Sequence, residues 1–115
     1  MKMKFECKGR ISEGLIQCEL YSRLKEEGIF SYPEYKCKID GETCRFDLAI
    51  FDEKEYLMII VECKSRKRLR YKSFKNLRNS LQYKKYMKAG VPVLYCVNLE
   101  GIENTVKQIK KILIK

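Results

Sequence analysis

Residues Tyr56 to Lys64 read YLMIIVECK, and the LMIIV centre is too continuous an apolar run for a strand with one face in water. Both faces of such a strand have to be covered. The segments around it are arranged to do so. Ser12 to Glu27 places Ile16, Leu20 and Leu24 on one helical face, with Ser12 as the expected N-cap and Gly28 as the stop. Tyr35 to Ile39 and Thr43 to Phe51 flank Asp40-Gly41, a strong signal for the two-residue turn of a β-hairpin. Phe74 to Ala89 returns to helical spacing through Leu77, Leu81 and Tyr86, and Gly90 ends it. VPVLYCVN, residues 91 to 98, is a short strand directly after a helix, which predicts parallel pairing with the strand before that helix. A last amphipathic helix begins near Ile102 and carries Val106, Ile109 and Ile112 or Leu113. The expected fold is α/β, a central mixed four-stranded β-sheet flanked by helices in the order α-β-β-β-α-β-α. No repeat, linker or low-complexity stretch divides residues 1–115, so one domain is expected.

No run of about 18 uncharged apolar residues occurs, and MKMKFECKGR lacks the apolar stretch of a signal peptide. A cytoplasmic protein with no membrane association is the expectation. The six cysteines form no CxxC pair and the chain has no histidine, which argues against structural zinc. Most of them fall in apolar runs, where free cysteine behaves as a small buried hydrophobe. If Asp40-Gly41 is a two-residue turn, Cys37 and Cys44 stand opposite each other, with Cα atoms about 5.5 Å apart. A disulfide there is not expected in a reducing compartment.

Lys and Arg number 25 against 15 Asp and Glu, a formal net charge of +10, enough to draw a polyanion by long-range steering. Nucleic acid is the leading partner class, although excess lysine also serves plain solubility.

The sharper signal is RFDLAIFDEKEYLMIIVECKSRK, with Asp47 on one strand and Glu62 and Lys64 two residues apart on the next. Side chains alternate along a strand, so Glu62 and Lys64 emerge on one side while Val61 and Cys63 enter the other. Two carboxylates and an ammonium at the end of a buried strand are desolvated, and the carboxylates repel each other. A hard divalent cation supplies the compensation, since Mg²⁺ takes oxygen ligands and pairs with phosphate. Lys64 can then hold or deprotonate an attacking water and offset charge developing on phosphorus. Taken alone, the triplet also fits a structural Glu62–Lys64 ion pair at a strand end.

The preceding acid, the hairpin spacing and the element order together resemble the PD-(D/E)XK nuclease superfamily over nearly the whole chain. Asp47 stands at the first acid, in RFD rather than Pro-Asp, and Glu62-Cys63-Lys64 stands at the D/E-x-K element. The resemblance implies that Asp47, Glu62 and the backbone carbonyl of Cys63 hold Mg²⁺, with Mn²⁺ able to substitute, and that Lys64 serves the nucleophilic water. Gln82 and Tyr86 match the QxxxY motif on the following helix of recombination exonucleases and similar nucleases. Their i, i+4 spacing puts them on one face, Gln82 directed to the site and Tyr86 packing or touching DNA. The family often adds an acid from the first helix. Glu13 shares the stripe of Ile16, Leu20 and Leu24 whereas Glu19 faces away from it, so Glu13 is the expected choice for metal and catalysis.

Arg66, Lys67, Arg68, Arg70 and Lys72 follow the lysine directly and are expected to contact DNA phosphates, with Lys84, Lys85 and Lys88 extending the basic surface. The expected activity is metal-dependent hydrolysis of phosphodiester bonds in DNA. Type I restriction subunits, recombination exonucleases and VRR-NUC modules look nearest, and branched-DNA resolvases share the core. A catalytically silent DNA-binding module is the rival reading. The apolar residues Ile29, Phe30, Tyr32 and Tyr35, or Ile112 to Ile114, offer a surface for a homodimer. Domains of this type imply a helicase or other DNA-processing partner.

Overall fold

The computed structural model describes residues 9–65 and 80–114. Helix α1 (Gly9–Glu26) buries Ile16, Leu20 and Leu24 completely, the stripe expected of it. It begins three residues ahead of Ser12, which therefore lies within the helix rather than capping it. Nothing between Gly9 and Ser12 interrupts a helix, and serine is tolerated inside one. The other end closes on Gly28 at φ 73°, with the Ile29 N–H donating to the Leu24 carbonyl at 2.9 Å and the Gly28 N–H to Lys25 at 3.0 Å. This left-handed exit is the Schellman stop that glycine allows.

Strands β1 (Ser31–Ile39) and β2 (Glu42–Phe51) form the hairpin, turning through Asp40 at φ 51° and Gly41 at φ 81°. Two positive φ angles make the turn whose twist matches paired strands. Cys37 pairs with Cys44 across it, and both thiols are free. β1 starts at Ser31, four residues earlier than the sequence suggests, because it is an edge strand where Pro33 costs no ladder bond.

Strand β3 (Leu57–Lys64) pairs antiparallel with β2 and parallel with β4 (Val93–Val97), giving a four-stranded mixed sheet in the order β1-β2-β3-β4. Its apolar centre is covered on both sides. Ile59, Val61 and Cys63 join α1 and α3 (Ile102–Leu113) in one core, while Ile60 joins Tyr86 of α2 (Leu81–Met87), Val93 and Tyr95 in the other. Arg23 on α1 donates to Glu103 at 2.8 Å and to Glu27 at 3.0 Å, and Lys110 reaches Glu27 at 2.6 Å, which ties α1 to α3.

Ser80 is extended, and its hydroxyl caps α2 by accepting the Tyr83 N–H at 3.1 Å. Of the helix expected over 74–89, the described part begins at Leu81 and ends at Met87, with the Ser80 hydroxyl bond to the backbone capping its start. The remainder of that expected helix, 74–79, and the basic run containing Arg66, Lys67, Arg68, Arg70 and Lys72 lie outside the described residues. Among the described residues, no helix is long and apolar enough to cross a membrane.

Candidate active site

The β2–β3 ladder pairs Ile50 with Ile59, Ala49 with Ile60 and Leu48 with Val61. One step further, Asp47 would oppose Glu62, and there the ladder ends. The side chains take over from it: Asp47 N–H donates to Glu62 Oε2 at 2.7 Å, and Cys63 N–H donates to Asp47 Oδ2 at 2.7 Å. Two strand N–H groups left without carbonyl partners are thus satisfied by two carboxylates. The alternation of β2 also slips by one residue here, since Cys44 and Phe46 pack in the same core as Ala49 while Leu48 and Ile50 pack in the other.

Across the hairpin the irregularity repeats. The β1–β2 register is continuous from Ser31 with Ile50 to Ile39 with Glu42, except that it skips Glu34 opposite Asp47. Glu34 has φ 53°, an uncommon conformation for a residue with a side chain.

Glu62 is buried, at 3% exposure, and Asp47 is partly buried. Burial, then the neighbouring Asp47 charge, pushes the Glu62 carboxyl up to about 8. Burial raises Asp47 as well, opposed by the Cys63 N–H bond and by the Lys64 charge. The Lys64 ammonium draws both carboxyls down without offsetting their desolvation. The result is two carboxyls on hard oxygens whose ionised forms the protein leaves poorly compensated.

These three groups line a cavity of about 520 Å³ together with Glu13, Arg45 and Gln82. Glu13 comes from α1 and accepts the Ser65 N–H at 3.1 Å, just past the end of β3, whereas Glu19 is exposed elsewhere on the helix. Gln82 comes from the start of α2 and its Oε1 stands 3.5 Å from the Tyr95 hydroxyl. Tyr86 is buried, stacked edge-on against Phe46 with ring centroids 4.8 Å apart, and its hydroxyl donates to the Arg45 carbonyl at 3.0 Å. Of the two roles the sequence left open for Tyr86, its position fits packing. The QxxxY spacing works as an anchor: Tyr86 fixes α2 to β2, and Gln82, one turn earlier, is held at the cavity.

Lys85 also lines the cavity but is paired with Glu42 at 2.8 Å, and Lys88 with Asp40 at 3.2 Å. Both lysines brace α2 against the hairpin tip. Neither Arg45 nor Glu34 was singled out from the sequence. A signal for Glu34 existed, because a two-residue turn at Asp40-Gly41 sets the register that puts residue 34 opposite residue 47.

The oxygens present suit a small divalent cation. Asp47 and Glu62 each spend one oxygen on a backbone N–H, and among the described residues nothing else bonds Asp47 Oδ1 or Glu62 Oε1. The Cys63 carbonyl lies on the same strand edge as its N–H, beyond the β2 ladder. Among the described residues no three His, Cys, Asp or Glu side chains gather closely enough to hold an ion by themselves. A cation here would rest on two carboxylates, that carbonyl and water, the mixed set Mg²⁺ accepts. Compared with protein-family models, curated proteins and solved structures, the chain matches none.

Proposed function

We propose that this chain is a magnesium-dependent nuclease that hydrolyses phosphodiester bonds in DNA, on a core of the restriction-endonuclease type. The observation that carries the reading is the Asp47–Glu62 pair at the end of the β2–β3 ladder, with Lys64 on the same strand end. Keeping two carboxylates together in a site that raises the pKa of both costs stability, and a structural ion pair would need only one of them.

Asp47, Glu62 and the Cys63 carbonyl would hold the Mg²⁺, which would supply Lewis acidity for phosphoester hydrolysis when bound. The residues of the chain do the rest. The Lys64 ammonium, with three donors, orients the attacking water and offsets the charge that grows on the phosphoryl oxygens. Gln82, tethered by Tyr86 one turn away, offers an amide to the substrate or the water. Glu13 holds the Ser65 N–H just past the end of β3.

The +10 charge steers a polyanion to the site, with the segment after Lys64 supplying phosphate contacts. Phe30 and Tyr32, exposed at 64% and 51%, or Ile114, exposed at 84%, offer apolar surface that a two-fold dimer would cover. A dimer brings two centres to the two strands of a duplex.

Titration calorimetry with Mn²⁺ tests the reading against a silent DNA-binding module. The nuclease binds the ion in the wild type and loses binding in Asp47→Ala and Glu62→Ala. A wild type that binds DNA but takes up no divalent ion would contradict it.

A further inference from the structure

We propose that Arg45 is a phosphate-binding residue of this site and that Glu34 is the positioning residue that aims it. The proposal rests on the nuclease reading and adds to it a contact with the substrate backbone. Three described cations line the cavity, and they are engaged differently. Lys64 stands beside the carboxylates, and Lys85 is occupied by Glu42 at 2.8 Å. Arg45 Nε stands 3.1 Å from Glu34 Oε2 in an ion pair, and its two terminal nitrogens make no bond among the described residues. Those nitrogens form the planar fork that fits two oxygens of one phosphate.

Arg45 is fixed at both ends. Its carbonyl accepts the Tyr86 hydroxyl at 3.0 Å and its guanidinium is held by Glu34. It lies two residues before Asp47 on β2, a separation of about 6.7 Å along a strand. That is comparable to the spacing of neighbouring phosphates along a nucleic-acid chain. A scissile phosphate at Asp47 and Glu62 therefore puts an adjacent phosphate within reach of Arg45.

The backbone of Glu34 supplies the independent argument. It sits at φ 53°, at the one position the hairpin register skips, opposite Asp47. The side chains of the Glu34–Arg45 pair are 50% and 61% exposed, and an ion pair so open contributes little stability to offset a left-handed residue. Strain that stability does not account for is a mark of functional positions.

The test is steady-state cleavage in Mg²⁺, with affinity for the same end-labelled oligonucleotide measured in Ca²⁺. Arg45→Ala is expected to raise KM and Kd about tenfold, the worth of one charge-assisted hydrogen bond, with kcat changed far less. Glu34→Asp retains a carboxylate to pair with Nε and brings KM back toward wild type, whereas Glu34→Ala raises it. Neutral methylphosphonate scanned along the strand should weaken wild-type binding at one phosphate beside the cleaved bond, and Arg45→Ala should lose no further affinity at that position. A wild type that cuts, with Arg45→Ala showing unchanged KM or additive losses at every phosphate, would overturn the assignment of Arg45. A wild type that neither cuts nor binds DNA overturns the nuclease reading itself.

Discussion

Asp47 and Glu62 occupy facing positions one step beyond the last β2–β3 pair, and Glu62 Oε2 accepts the Asp47 N–H at 2.7 Å. The bond that holds the pair together does not relieve its charge. A carboxyl raised from 4.5 to about 8 binds its proton more tightly folded than unfolded. Stability from Glu62 is thus fully present below about pH 4.5, falls as pH rises, and levels off above about pH 8. Asp47 shifts in the same direction. Thermal melting of metal-free protein should show this decline, and Glu62→Gln should abolish most of it, gaining on the order of a few kcal/mol at high pH. Mg²⁺ should raise the wild-type melting temperature above pH 8 and leave that of Glu62→Gln unmoved.

Tyr86 and Gln82 separate anchoring from chemistry. Tyr86→Phe removes the hydroxyl that reaches the Arg45 carbonyl and should cost about 1 kcal/mol in denaturant unfolding. Gln82→Ala leaves the melt unchanged and lowers kcat. The reverse pattern would mean that the helix is held by Gln82.

Glu13 and Glu19 lie on one helix and differ only in facing. Glu13→Ala should reduce cleavage by about tenfold or more, since it removes a carboxylate that lines the cavity and accepts the Ser65 N–H. Glu19→Ala, on an exposed position, should cut at the wild-type rate. Single-turnover rates under saturating Mg²⁺ distinguish the two.

Binding in Ca²⁺ should weaken steeply as salt rises, because each phosphate neutralised by Lys or Arg releases a counterion. Charge reversal at Arg66, Arg68 and Arg70 together should flatten the log–log slope by about 0.9 for every phosphate that is no longer neutralised. An unchanged slope would remove that segment from the DNA interface.

Local chemistry made much of this layout legible from sequence. Asp-Gly specifies its own turn, LMIIV demands two covered faces, and the phase of Glu13 with Ile16 and Leu20 turns it inward. What stayed hidden depends on neighbours distant in sequence. Pro33 looks like a strand breaker until β1 is known to be an edge strand. Ser80 caps a helix start inside an apolar periodicity that runs through it, because the cap bond outweighs the pattern. The slip of β2 at Asp47 has no signature in alternation, since it arises where the ladder to β3 stops. Tyr86 was readable as a motif member, but whether it packs or contacts substrate is decided by Phe46 and the Arg45 carbonyl.

Nuclease activity is tested most directly by cleavage of end-labelled DNA, offered as single-stranded, duplex, nicked and branched forms with Mg²⁺, by wild type, Glu62→Gln and Lys64→Ala. The wild type is expected to cut at least one form, to stop when the metal is chelated, and to lose activity in both variants while each remains folded. Cleavage retained by Glu62→Gln, or no cleavage of any form by a wild type that has taken up Mg²⁺, would contradict it.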